Sequence, residues 1–140
     1  MLYSNFNFQG TDLTSTDLSA MEKLHIDIWV ADASVRTIKV SPIGGCETLV
    51  TVPVTSVAWN SVDIPLSSFT AVNFTAVGQL KFDGQFAADG TTADTAVRSD
   101  VYLDNIYFYK ESTLSTTDNE LLKIKYFRAL EIEKEKSCKP

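Results

Sequence analysis

A histidine, an aspartate and a tryptophan alternate with aliphatic residues in the segment LHIDIWV. Because successive side chains of a β-strand point to opposite faces, a strand here places His25, Asp27 and Trp29 on one face. An aromatic ring can pack against the C–H face of a sugar, and a carboxylate or an imidazole can hydrogen-bond its hydroxyls. The pattern therefore indicates a sugar-binding face. The alternative is that Trp29 is buried under another segment and that His25 and Asp27 form a structural pair.

Two further segments carry side chains of the same kinds. The strand-like run VGQLKFD alternates Gln79 and Lys81 with apolar residues, and the run VYLDNIYFYK places Asn105 on one face with Tyr107 and Tyr109. Amides, charged groups and aromatic rings are the side chains that give a binding surface its specificity. The predicted ligand-binding residues are His25, Asp27, Trp29, Gln79, Lys81, Asn105, Tyr107 and Tyr109.

The run VYLDNIYFYK, from Val101 to Lys110, is rich in large apolar side chains on both faces of the predicted strand. Strict alternation divides it into Tyr102, Ile106 and Phe108 on one face and Leu103, Asn105, Tyr107 and Tyr109 on the other. A core needs only one of these faces. We assign Ile106 and Phe108 to the core, and Asn105 with Tyr107 or Tyr109 to the second face.

Asp104 lies in the middle of this apolar run. Carboxylates at strand ends, together with loop carbonyls, are the ligands that Ca²⁺ takes. Asp12, Asp17 and Asp100 lie in other acidic segments, but no spacing between these acids is diagnostic of a calcium loop. Two interpretations stay open: Asp104 is a calcium ligand, or it accepts backbone N–H bonds in a turn or bulge.

The sequence offers little for catalysis. A nucleophilic mechanism needs a Ser or Cys beside a His and an acid, and glycoside hydrolysis needs two carboxylates at a fixed separation. His25 is the only histidine, and the acids are scattered mostly through predicted loops. We therefore expect a binding protein and not an enzyme. Trp59 begins a predicted strand, where we expect it to pack or to anchor a loop instead of contacting a ligand.

The charge of the chain limits its partners. The formal net charge is −6 over 140 residues, and residues 1–110 hold twelve acids against six Lys or Arg. An acidic body repels phosphate backbones, so nucleic acid is not an expected partner. The sequence contains no basic amphipathic stretch and no apolar run of membrane-spanning length, so a membrane is not expected either. No segment of the chain has the pattern of a signal peptide.

Short alternating runs separated by turn residues predict an all-β domain over residues 1–110. They recur at roughly ten-residue spacing, without a long helical pattern before residue 118, which favours an antiparallel β-sandwich. Residues 111–140 have a different composition. A Ser/Thr-rich linker leads to Thr117-Asp118-Asn119-Glu120, a capping-box pattern that predicts a short C-terminal helix followed by a charged tail.

Four segments in order, LHIDIWVAD, WNSVDIPLSSF, VGQLKFDG and VYLDNIYFYK, resemble jelly-roll carbohydrate-binding-module-like domains. Such domains are appended to secreted polysaccharide-degrading enzymes of marine and gut Bacteroidetes, such as laminarinase-type glycoside hydrolases. The likeness covers Phe6 to Lys110. It is most specific in Trp59 to Leu66 and in the closing VYLDNIYF.

The resemblance implies a jelly roll that binds a polysaccharide, for example a β-glucan, as an accessory to a secreted glycoside hydrolase. It implies an extracellular or cell-surface location and a structural Ca²⁺ near the last strand, which falls on Asp104. Family members have strands before the position of Phe6, so the chain looks truncated at its N-terminus, and an open sheet edge would favour a dimer. Residues 114–125 resemble the start of the C-terminal sorting domain of Bacteroidetes type nine secretion. From Tyr126 onward the sequence no longer follows that pattern.

A different function is compatible with the same fold. A jelly roll with no ligand can act as a structural or spacer domain, because a fold alone does not determine function. Exposure of Trp29, Tyr107 and Tyr109 on one face would favour glycan binding over this alternative.

Overall fold

The computed structural model describes residues 1–84 and 99–111 and the backbone of a short strand at Lys125–Tyr126. Strands and two single turns of 3-10 helix, Leu66–Ser68 and Phe74–Ala76, make up its regular structure. The strands are β1 (Leu2–Phe6), β2 (Phe8–Thr16), β3 (Lys23–Val30), β4 (Thr37–Ile43), β5 (Val50–Pro53), β6 (Trp59–Pro65), β7 (Val77–Asp83), β8 (Ser99–Tyr109) and β9 (Lys125–Tyr126).

The strands form two antiparallel sheets. The front sheet has the order β1-β8-β3-β6, and β9 also pairs with β8; the back sheet has the order β2-β7-β4-β5. Strand 1 therefore pairs with 8, 2 with 7, 3 with 6 and 4 with 5, which is the strand order of a jelly roll. The predicted all-β sandwich is confirmed.

Alternation along the strands separates the core from the surface. Leu24, Ile26, Ile28 and Val30 of β3 are fully buried, whereas the residues between them are only partly buried. From the back sheet, Leu80 and Phe82 of β7 are buried in the same cluster. The core thus fills the space between the two sheets, and burial of this apolar surface is the main force that holds them together.

Strand β8 does not follow strict alternation, because it contains a β-bulge. His25 of β3 lies opposite Tyr107, but Asp27 lies opposite Asp104, so β8 has one extra residue in this interval. Asn105 sits in the bulge with a φ of 48°, in the left-handed region. Asparagine tolerates this conformation better than most residues.

The bulge reverses the phase of β8 and corrects the predicted facing of its first half. Before the bulge, Leu103 is fully buried and Tyr102 is 39% exposed, so these two residues occupy the opposite faces from those predicted. After it, Phe108 is fully buried and Tyr107 lies on the outer face, as predicted. The phase change explains how one strand can carry large side chains on both predicted faces and still bury only one set.

Both sides of β8 are paired. Its first half pairs with β1, Phe108 and Tyr107 pair with β9, and its other side pairs with β3. The predicted C-terminal helix falls on residues that lie outside the described part of the chain. Within the described part, Lys125–Tyr126 forms a short strand. A dimer through a sheet edge stays a prediction. In the described ranges, no helix is long and apolar enough to cross a membrane.

Candidate functional site

The outer face of the front sheet carries side chains in rows that cross the strands. Trp29 lies directly opposite Trp59 of β6 and Tyr102 of β8, and Tyr102 lies opposite Leu2 of β1. Directly opposed residues of antiparallel strands project to the same face. We call these four residues, Trp59, Trp29, Tyr102 and Leu2, the apolar row.

The apolar row is open to solvent along most of its length. Trp59 is 58% exposed, Leu2 48% and Tyr102 39%, while Trp29 is partly buried between its neighbours. The rings of Trp29 and Tyr102 meet edge to face, with centroids 5.3 Å apart and an interplanar angle of 79°. Tyr102 therefore packs against Trp29, and Trp59 has the most accessible ring of the row.

The next row along the strands is polar. Asp27 lies opposite Ser61 on one side and Asp104 on the other, and we call Ser61, Asp27, Asp104 and the adjoining Asn105 the polar row. Asn105 donates from Nδ2 to Asp27 Oδ2 at 2.6 Å. Asp27 thereby fixes the side chain of the bulge residue, which leaves Asn105 itself exposed beside the apolar row.

Asp27 is held in its ionised form. Burial by itself would raise its pKa, but hydrogen bonds from Asn105 and Ser61 and the nearby His25 outweigh it and lower the pKa of the carboxyl. Asp27 Oδ1 is buried without a hydrogen bond of ordinary geometry, although His25 Nε2 lies 3.4 Å away. Since this oxygen is shielded from solvent, Asp27 acts on the surface by positioning its neighbours.

His25 occupies the centre of a third row, between Asp63 and Tyr107. Its Nδ1 lies 2.7 Å from Asp63 Oδ1, and its ring stacks on Tyr107 with centroids 4.7 Å apart and planes 22° apart. The His25 side chain is only 13% exposed. The sequence left open whether His25 and Asp27 are a structural pair, and the 3.4 Å contact between His25 Nε2 and Asp27 Oδ1 is consistent with that interpretation.

Ser61, His25 and Asp63 have the connectivity of a catalytic triad. Ser61 Oγ lies 3.5 Å from His25 Nε2, and Asp63 contacts the other ring nitrogen. However, the Ser61 hydroxyl also stabilises the Asp27 carboxylate as a hydrogen-bond donor. The contact between Ser61 and His25, at 3.5 Å, is at the limit of hydrogen-bond distance, and Ser61 belongs to the polar network around Asp27.

The two tyrosines that follow the bulge are committed to contacts within the protein. Tyr107 stacks on His25, and Tyr109 packs against Tyr107 with centroids 5.8 Å apart. Burial raises the pKa of the Tyr109 hydroxyl, and its hydrogen bond to Asp63 raises it further. Tyr107 and Tyr109 therefore form the far side of the face, away from the open ring of Trp59.

A turn between β5 and β6 positions Trp59. Asn60 Nδ2 lies 2.9 Å from Thr55 O, 3.0 Å from Ala58 O and 3.1 Å from Ile28 O. Asn60 Oδ1 also accepts a hydrogen bond from Thr55 N at 2.8 Å. One side chain thus ties both ends of the turn to β3, immediately beside Trp59.

Val57, within this turn, has a φ of 57° and is 64% exposed. The left-handed region is strained for a β-branched residue. Its N–H donates to Val30 O at 2.7 Å, which holds the strained turn against β3. Strain of this kind concentrates at functional sites.

Gln79 and Lys81, two of the predicted ligand-binding residues, lie in the back sheet. Gln79 Nε2 donates to Asp12 Oδ1 at 2.7 Å, and Lys81 Nζ lies 3.3 Å from Glu47 and 5.9 Å from the ring centroid of Phe8. The structure therefore divides the predicted set between the two outer faces. It brings together His25, Asp27, Trp29, Asn105, Tyr107 and Tyr109.

Asp104 accepts a hydrogen bond from the backbone N–H of Asn105 at 2.9 Å. This contact is the bulge interpretation that the sequence left open beside the calcium one. Among the described residues, no three His, Cys, Asp or Glu side chains gather into a group that could hold a metal ion. A calcium ion at Asp104 stays a prediction from the resemblance, and these residues offer no set of acidic ligands for it.

Two exposed aromatic residues of the face were not among the predicted ligand-binding residues. Trp59 was expected to pack or to anchor a loop, but it is the most exposed ring of the apolar row. Its signal was present in the sequence, since Trp59, Ser61 and Asp63 alternate with Val62 and Ile64 as the residues of β3 do. Tyr102 was assigned to the wrong face because strict alternation was continued through the position of the bulge.

Comparisons with protein-family models, with curated proteins and with solved structures find no match to this chain.

Proposed function

We propose that the protein is a non-catalytic carbohydrate-binding module that binds a polysaccharide through the outer face of its front sheet. The observation that carries the proposal is the position of Trp59, a tryptophan 58% exposed beside Trp29 and next to a polar row. A single exposed indole would need no explanation, but Trp59 continues a row of mostly exposed apolar side chains, and contiguous apolar surface with aromatic rings marks sites of interaction.

The polar row supplies the second requirement of sugar recognition. Ser61, Asp104 and Asn105 are exposed, and they offer hydroxyl, carboxylate and amide groups in the row next to the rings, two to three residues away along the strands. Sugar hydroxyls need such partners to replace the water that they lose on binding. The resemblance to accessory domains of secreted glycoside hydrolases supports the same proposal, and it suggests an extracellular parent protein in which the module concentrates the polysaccharide near a catalytic domain.

Affinity electrophoresis in gels that contain soluble polysaccharides, beginning with a β-glucan, tests the proposal. Trp59→Ala should weaken retention by about 1–3 kcal/mol of binding free energy. Phe8→Ala is a matched control, because Phe8 is an exposed aromatic residue, 48% accessible, on the opposite sheet. Retention that depends on Phe8 and not on Trp59 would contradict the proposed face. A folded protein that no polysaccharide retains would favour a spacer domain.

A further inference from the structure

The rows of the front sheet give the face a direction. The apolar row and the polar row both cross the strands, because each consists of residues that are directly opposed in the strand register. Neighbouring strands lie about 4.8 Å apart, so the apolar row from Trp59 to Leu2 spans roughly 14 Å. A surface of this length and direction fits an elongated ligand better than a single sugar.

We propose that the ligand is an extended, uncharged glycan chain whose long axis crosses the four strands along the apolar row, an inference that rests on the proposed function. In this orientation the chain packs its C–H faces against Trp59, Trp29 and Tyr102 while one hydroxyl edge faces the polar row. A chain aligned with a strand would instead pass from rings to carboxylates every two residues, for example from Trp29 to Asp27 along β3. The crossing orientation keeps apolar and polar contacts continuous.

The charge of the ligand is indicated by the residues around Tyr102. Along β8, the outward residues on either side of it are Asp100 and Asp104, both exposed acids. Lys23, at the far end of β3, forms an ion pair with Glu111, which neutralises its charge. A carboxylated or sulfated glycan on the apolar row would therefore face like charges on both sides of Tyr102, whereas an uncharged glycan would not.

Calorimetry with neutral β-1,3-glucan oligosaccharides of increasing length tests the axis. Affinity should rise from the disaccharide until the chain covers the row and should then level off. For the long oligosaccharide, Trp59→Ala at one end should weaken binding about tenfold and Leu2→Ser at the other about threefold. Lys23→Gln, on the same face but outside both rows, should have little effect. A disaccharide that binds as tightly as the long chain, or a larger loss from Lys23→Gln than from Leu2→Ser, would overturn the crossing axis.

The same long oligosaccharide with its primary alcohols oxidised to carboxylates tests the charge. At low ionic strength it should bind at least about tenfold more weakly than the neutral parent, and the double variant Asp100→Asn, Asp104→Asn should narrow the difference. Equal or tighter binding of the oxidised chain would overturn the inference and leave the proposed function intact. Failure to bind any glycan, neutral or oxidised, would overturn both.

Discussion

Asn105 of β8 donates a 2.6 Å hydrogen bond to Asp27 of β3 from a backbone conformation that few residues adopt without strain. The contact joins the bulge residue to the neighbouring strand at the point where β8 changes phase. Because Tyr102 precedes the bulge and Tyr107 follows it, this one interaction stabilises the local geometry that places both tyrosines on the outer face.

Asp27→Asn should destabilise the protein in a pH-dependent way. The pKa of Asp27 is lowered in the folded state, so its ionised form contributes stability above an unfolded pKa of about 3.9, and that contribution is lost as the pH falls through the folded pKa. We expect the substitution to lower the free energy of unfolding by about 1–2 kcal/mol near neutral pH and by less at about pH 3. Urea unfolding of both proteins at each pH measures the difference, and an equal loss at both pH values would contradict this assignment.

Replacing Asn105 separates its backbone role from its side-chain role. Both variants remove the bond to Asp27, but alanine is strained in the left-handed region, whereas glycine adopts this region without steric cost. We expect Asn105→Ala to lose about 1 kcal/mol more than Asn105→Gly. Chemical denaturation measures both. Identical losses would show that the conformation of the bulge contributes nothing.

Val57→Asn should make the protein more stable. Asparagine adopts the left-handed region at less cost than a β-branched residue, so relief of strain at a φ of 57° should add about 1 kcal/mol to the free energy of unfolding. Val57→Thr is the matched control, because threonine is also β-branched and keeps the strain. A thermal melt in which both variants behave like the parent protein would mean that the turn stores no strain.

Asn60→Ala should loosen the turn that positions Trp59. It removes a side chain within hydrogen-bond distance of Thr55, Ala58 and Ile28. We expect the free energy of unfolding to fall by about 1–3 kcal/mol. Asn60→Asp is the control, since it retains the acceptor for Thr55 N but loses the donors. With Trp29→Phe present, so that Trp59 is the only tryptophan, iodide should quench the fluorescence more strongly in the protein that also carries Asn60→Ala than in the protein that does not. Unchanged quenching together with unchanged stability would exclude this role.

Asp104→Ala tests the two interpretations of that carboxylate. Because Asp104 accepts the N–H of Asn105, Asp104→Ala should lower the free energy of unfolding by about 1 kcal/mol with or without a chelator. Asp104→Asn retains an acceptor and should lower it less. Thermal melts with calcium and with a chelator provide the measurement. A loss confined to calcium-containing buffer, equally large in Asp104→Asn, would instead support the predicted calcium ion.

The sequence predicted those parts of the face that depend on local alternation. In β3, every second residue from Leu24 to Val30 is buried, so the outward direction of His25, Asp27 and Trp29 followed from period two alone. Alternation could not locate the bulge, because Asn105 fits either phase until its partner strand is known. For that reason Tyr102 was placed on the wrong face.

The grouping of Gln79 with the front residues failed for a different reason. Its outward direction on β7 was predicted correctly, but alternation does not specify which sheet a strand joins. That depends on the long-range pairing of β7 with β2 and β4, which no segment of the sequence encodes by itself. The outward direction of Trp59 was also predicted correctly, and its role as a ligand contact is a proposal that follows from its exposure.

The bulge in β8 also determines how this strand tolerates changes in length. Deleting Asn105 would remove the extra residue and give β8 strict alternation, with Leu103 and Phe108 still facing the core and Tyr102 and Tyr107 still facing outward. Elsewhere in β8, a one-residue insertion or deletion exchanges the two faces from that point onward, because successive side chains point to opposite faces. A relative lacking this residue would have to be aligned with a gap at position 105, or its core would be compared with this protein's surface.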